Sequence, residues 1–186
     1  ISCNKTNEKV EKVISLIDEL PEVISLEDES KISNIDNLYN ELSKEEKELV
    51  TNYNIFISQK EALNSLLVEK NNKDSASNVV SLIDNLPSES DFTLDNKDDV
   101  LSASKAYLDL NKDAQKYVTN VDKLNSLLDL INDLDECSKV VDAIEGLSKD
   151  ITLNDEELIV SVRALYNNLS DDLKEYVTNL SVLESA

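Results

Sequence analysis

Apolar residues fall at Val10, Val13, Ile17 and Leu20, with polar or charged residues at most positions between them, and the series returns twice. Its later members are Ala76, Val79, Ile83, Leu86 and Cys137, Val140, Ile144, Leu147. A three-four spacing puts such residues on one helical face and predicts three amphipathic helices, the first from about Asn4 to Leu20. Pro21 and Pro87 are expected to end the first two, and Ser148 stands at the matching place in the third.

A second stripe follows each of these: Ile32, Ile35, Tyr39, Leu42; Val100, Ala103, Tyr107, Leu110; Ile159, Val162, Tyr166, Leu169. Its regularity predicts helices packed at shallow angles, as in a bundle or coiled coil. Ahead of each stripe lies an apolar–hydroxyl–Leu segment, Ile24-Ser25-Leu26, Phe92-Thr93-Leu94 or Ile151-Thr152-Leu153. The hydroxyl residue, with Asp28, Asn96 or Asp155 three places on, reads as a helix N-cap. Ser43, Asn111 and Ser170 then open short capped segments, with Ser43 and Glu46 forming a capping box. Those segments end at Val-Thr-Asn, where Asn52, Asn120 or Asn179 is expected to cap the next helix or take a left-handed turn.

Third helices are predicted to start at Tyr53, Val121 and Leu180, the second of them carrying the stripe Val121, Leu124, Leu128, Ile131. That helix is expected to run on through Asp135 and Glu136 into the next repeat. The matching junction at 69–78 lacks a large apolar residue and predicts a bend or hinge.

These elements recur in register. Leu26, Tyr39 and Asn52 match Leu94, Tyr107 and Asn120, then Leu153, Tyr166 and Asn179, always thirteen residues apart and offset by 68 and then 59. Such self-similarity marks an array of supersecondary units. The expected fold class is all-α: tandem small three-helix bundles in a spectrin-like elongated array, with an additional short helix per repeat. The repeats are placed at 4–70, 71–134 and 135–186. The third helix of the last is cut short, which suggests a segment of a longer array. A domain of about 60 residues buries only roughly 60% of its unfolded surface, so neighbours sharing helices would support one another.

One glycine, two prolines and 4% aromatic residues leave little turn chemistry for a sheet and favour helices. Thirty-nine acids against eighteen bases give a formal charge of −21, which argues against nucleic acid and anionic lipid as partners. No stretch has the 18 or more apolar residues of a membrane-spanning helix, and no complete signal peptide is visible.

Candidate chemistry is sparse. Without histidine, no serine or cysteine hydrolase relay of the usual kind can be assembled. Paired carboxylates are too numerous for any pair to be informative. The acidic run Asp91–Asp99 lacks the central glycine and alternating acids of a calcium loop, and Gly146 marks a helix end rather than a phosphate cradle. Cys137 lies on a core stripe. Cys3, one heptad before Val10, is either another core residue or, after Ile1-Ser2, the end of a lipoprotein cleavage site bearing a lipid anchor. Tyr39, Tyr107 and Tyr166 are expected in the core with hydroxyls at its edge, and Tyr117 and Tyr176, in the slot of Leu49, are expected to be mostly buried. No catalytic, cofactor-binding or metal-binding residue is assigned, and any binding residues remain unassigned.

The series Leu94, Val100, Ala103, Tyr107, Leu110, Gln115-Lys116, Val118-Thr119-Asn120 resembles the helical repeats of large multimodular cell-surface and secreted proteins of Gram-positive anaerobes such as clostridia. The other repeats keep the tyrosine and Val-Thr-Asn but carry Lys47 and Lys174 in the place of Gln115. The resemblance implies a non-enzymatic spacer or stalk on a bacterial surface. Its alternative is an adhesin module binding a host protein, an immunoglobulin or serum protein, through exposed helix faces. Neither role implies a cofactor or a small-molecule substrate.

Overall fold

The computed structural model describes residues 2–147 and 149–186, with side chains from Glu8 onward. Cys3 therefore lies outside the described side chains. The described residues are all-α, without a strand.

The chain divides into two compact units, Ile1–Ser75 and Ala76–Ala186. The first holds α1 (Ser2–Asp18), α2 (Glu29–Asn40), the single turn α3 (Lys44–Lys47) and the start of α4 (Tyr53–Asp84). The second holds the end of α4, then α5 (Lys97–Asp109), α6 (Lys112–Gln115) and α7 (Val121–Glu145). It closes with α8 (Glu156–Asn168), α9 (Asp171–Lys174) and α10 (Leu180–Ser185).

Buried apolar side chains gather in three clusters, spanning Val10–Leu63, Ala76–Ile131 and Cys137–Leu183. All twelve positions of the first stripe are buried, from Val10 to Leu147. Ile32, Ile35, Val100, Ala103, Ile159 and Val162 of the second stripe are buried too, while the three aligned tyrosines are half-buried at the cluster edges. The α7 face is shifted slightly from its predicted register. Leu124, Leu127 and Ile131 are fully covered, and Val121 and Leu128 only partly, because a 3.6-residue helix drifts away from a fixed heptad line.

The proline positions are not what ends the first helices. α1, α4 and α7 stop at Asp18, Asp84 and Glu145, three residues before Pro21, Pro87 and position 148. Each tightens into the same i→i+3 bond: Leu20 N–H to Ile17 O, Leu86 to Ile83 and Leu147 to Ile144, all at 3.1 Å. The third does so without proline, so burial of the terminal leucine sets the register. Gly146, the C-cap of α7, has an ordinary right-handed backbone.

Residues 69–78, where a bend or hinge was predicted, are helical, and the division between the two compact units falls within them, at Ser75 and Ala76. Neither Gly nor Pro interrupts them. Two i,i+4 ion pairs, Glu69–Lys73 and Lys70–Asp74, each 2.6 Å, lie along the stretch and support the helix without a large apolar residue. A second correction concerns the slot shared by Leu49, Tyr117 and Tyr176. It is exposed rather than buried, at 53%, 38% and 54% of each residue's surface. The next residue, Val50, Val118 or Val177, takes the inward position at the end of the short helix.

The caps follow the sequence. Ser25, Thr93 and Thr152 each form a reciprocal capping box with Asp28, Asn96 or Asp155 over a 3-10 turn that leads into α2, α5 or α8. Ser43 and Glu46 form the box at α3, through bonds of 2.8 and 3.2 Å. Asn111 accepts from Asp113 and Ala114 N–H at α6. The Asp28 carboxyl is held below its usual range first by the Ser25 N–H and then by the Lys31 ammonium and the Ser25 hydroxyl. That of Asp155 is lowered by the Thr152 N–H and hydroxyl.

Two tests follow. Ile35→Asp places an unpaired charge at a position 1% exposed and unfolds its cluster; circular dichroism melts should lose that transition, and an unchanged profile would exclude Ile35 from the interior. A carboxyl whose folded pKa lies below its unfolded value stabilises above about pH 4, and that contribution is lost as pH falls through the folded pKa. Asp155→Asn keeps the box in the neutral form already used by Asn96. Its deficit relative to the parent chain at pH 6 should therefore shrink steadily as the pH falls below about 4; a pH-independent difference would contradict the cap.

Candidate functional site

The most specific polar arrangement in the chain is built from the Val-Thr-Asn segments. Asn52 Nδ2 donates to Ile14 O at 2.9 Å, Asn120 Nδ2 to Val80 O at 2.9 Å and Asn179 Nδ2 to Val141 O at 3.0 Å. In the first two repeats the same amide also reaches the carboxylate one turn further along, Asp18 at 2.9 Å and Asp84 at 2.8 Å. Glu145 holds that place in the third repeat. Each asparagine thus clasps the start of the third helix to a carbonyl near the C-terminal end of the first, across 38–40 residues of sequence.

Asn120 and Asn179 stand at the N-cap positions of α7 and α10, as predicted, but their amides do other work. The side chains of Asn120 and Asn179 make no cap bond, and no described non-glycine residue has a positive φ. The signal for the clasp was the invariant register of the asparagine; its partner, a backbone carbonyl, has no sequence signature. The carboxamide oxygens of the three asparagines are buried without a partner among the described residues. An unpaired buried acceptor costs about 1–3 kcal/mol, so the donor side of the amide is what the position selects.

Other side chains secure the neighbouring helix ends. Gln115 Nε2 donates to Tyr107 O at 3.1 Å and Leu110 O at 3.3 Å, and Lys47, in the same slot, donates to Asn40 O at 3.4 Å. Lys47 also lies 5.4 Å from the centre of the Tyr39 ring, as Lys174 lies 5.8 Å from that of Tyr166. The Gln/Lys exchange between repeats therefore preserves a donor. Lys123 Nζ bonds Asp84 O at 3.2 Å and Leu86 O at 2.6 Å, closing the C-terminus of α4. Tyr39 stacks on Tyr53 with centroids 4.0 Å apart, and burial, followed by Tyr53, raises its phenol pKa.

Cys137 is a free, buried thiol that donates weakly to Leu173 O at 3.4 Å, and burial pushes its pKa up. It packs as a small apolar residue and is the opposite of an activated nucleophile. Among the described residues no three His, Cys, Asp or Glu side chains are grouped to hold a metal ion.

Two apolar depressions lie on the surface, each of about 640 Å³. One, in the first unit, is lined by Val23, Ile24, Ile55, Ala62 and Leu66, with Gln59 at its edge bonded to Pro21 O. The other is lined by Ile151, Leu153, Ile159, Val160, Arg163 and Ala186. Glu22 and Glu69 line the first as well, and Glu156 the second.

The clasp is testable by charge. Asn120→Ala should cost about 1–2 kcal/mol by loss of the donor. Asn120→Asp should cost more at pH 7, because it faces the Val80 carbonyl and the Asp84 carboxylate, which raise the folded pKa of the new carboxyl, and the excess should fall as the pH drops from 7 toward about 4. Equal losses for the two variants at every pH, in denaturant titrations, would rule the donor role out. No family model, curated protein or solved structure matches the chain.

Proposed function

We propose that the chain is a non-enzymatic, load-spanning segment: a file of three small three-helix bundles that serves as a spacer or stalk of a bacterial cell-surface protein. One observation carries this reading. Most side chains that recur in register between repeats belong to the clusters, the caps and the asparagine clasp, the exposed Leu26, Leu94 and Leu153 and Thr51, Thr119 and Thr178 lying outside them, so packing accounts for most of the repetition. The exposed positions between them carry an acidic, mutually repelling surface that keeps neighbouring rods apart. The helices α4 and α7, which leave one repeat's stripe and enter the next without a loop, support the tandem arrangement. Placement outside the cell rests on the resemblance to clostridial surface repeats.

A second reading, a module that binds a host protein, draws support from the first apolar depression. Val23 there is 83% exposed and Ile55 56%. Large apolar side chains exposed beside one another, Val23 on the connection after α1 and Ile55 on α4, are the usual anchors of a protein contact.

Two measurements separate the readings. Small-angle scattering of the spacer should give a radius of gyration well above the roughly 16 Å of a compact chain of this length, and a value near 16 Å would contradict the file of bundles. Passing serum over the immobilised chain should retain no protein selectively. Capture of one serum protein at micromolar affinity, lost in Val23→Asp, would replace the spacer with the adhesin.

A further inference from the structure

The two long helices differ by one insertion. α4 runs for 32 residues and α7 for 25. Counted from the asparagine before each, their apolar residues fall at the same places: Phe56, Leu63 and Leu66 after Asn52, and Leu124, Ile131 and Leu134 after Asn120. Counted back from their ends, Ala76, Val79 and Ile83 match Cys137, Val140 and Ile144. The seven extra residues of α4 therefore lie between Leu66 and Ala76, where α7 passes from Leu134 to Cys137 in a single turn, and residues 69–75 stand for them.

Seven residues carry a helix almost twice round, so the insertion leaves Ala76, Val79 and Ile83 on the face that a direct junction would give them. What it changes is the stretch between the stripes. In α7, Leu134 packs on the second cluster and Cys137 belongs to the third. Asp135, between them, bonds Lys97 of α5 at 2.6 Å, and the Cys137 thiol donates to Leu173 O of α9 at 3.4 Å. One turn of α7 thus serves two repeats at once. In α4, Leu67 packs on the first cluster and Ala76 belongs to the second, nine residues on. Six of the seven side chains at 69–75 are exposed, the exception being the polar Asn72, and the ion pairs Glu69–Lys73 and Lys70–Asp74 both close within the heptad. Ser75, its last residue, is also the last of the first compact unit, whereas the second and third clusters share one unit.

In a tandem array, stability is the sum of what each repeat holds by itself and what each junction adds, and a junction adds most through side chains that both neighbours bury. We propose that residues 69–75 form a joint that uncouples folding: the first repeat opens as its own cooperative unit, and the second and third open together. Ion pairs one turn apart keep the joint helical while its neighbours are folded, without making either neighbour depend on the other. The inference rests on helix register and holds for a spacer and an adhesin alike.

Native-state hydrogen exchange on the full chain, with one charge buried in one cluster, tests it. Ile35→Asp should speed amide exchange in α2 roughly a hundredfold or more and leave α5 and α8 within about twofold of the parent chain. Val100→Asp, at a fully buried site of the second cluster, should speed α5 and α8 alike and leave α2 unchanged. Removing residues 69–75 joins Val68 to Ala76 as Glu136 joins Cys137, and α5 should then follow Ile35→Asp. The reverse transfer does not need the shortened chain to fold: a copy of residues 69–75 inserted between Glu136 and Cys137 should free α8 from Val100→Asp. Exchange in α5 rising as it does in α2 when the parent chain carries Ile35→Asp would overturn the joint. Indifference of α8 to Val100→Asp would overturn the coupled pair, and α8 still following Val100→Asp after the insertion would show that the heptad is not what uncouples.

Discussion

A helix backbone offers no free donor along its length, and its carbonyls, although already bonded, keep a second lone pair. The fold turns on filling that lone pair from one position. In each repeat an asparagine amide, held at the start of the third helix, donates to a carbonyl four residues before the end of the first. Hydrophobic stripes alone let two helices slide by a turn, because three-four ridges mesh nearly as well one turn on. A directional bond to one carbonyl removes that freedom. It also explains why the amide cannot be exchanged for a carboxylate: both of its targets, carbonyl and Asp84 or Asp18, are acceptors.

Around that bond the ordinary terms act in concert. The first and second stripes bury aliphatic side chains with few aromatic ones, each worth about 1.5–3 kcal/mol when fully covered. Small clusters of this kind leave a narrow margin over chain entropy. The capping boxes at Ser25, Thr93, Thr152 and Ser43 then matter more than they would in a large domain, since each satisfies helix-end donors that water would otherwise compete for. The same narrow margin accounts for the value of helices shared between successive stripes.

Much of this was legible from residue spacing. Period fixes which residues face inward, and the starts of α4, α7 and α10 fall where the pattern placed them. What failed did so where the answer depends on something other than period. The 69–78 stretch holds the division between the two compact units and is nonetheless helical, with ion pairs one turn apart where apolar anchors are missing. Tyr117 and Tyr176 look interior by hydrophobicity, yet the adjacent valine takes the inward direction at the end of a one-turn helix. The asparagine was visible as a landmark, but not its role, since its partner is backbone. No catalytic site was legible because acids are too frequent along the chain for any pair to stand out.

The clasp can be observed directly through the side-chain amide protons of Asn52, Asn120 and Asn179 in nuclear magnetic resonance spectra. The account predicts that these three amide groups exchange far more slowly with solvent than the exposed asparagine side chains do, with a through-bond coupling to the carbonyl carbons of Ile14, Val80 and Val141. Exchange at the free-solvent rate, with no such coupling, would contradict it.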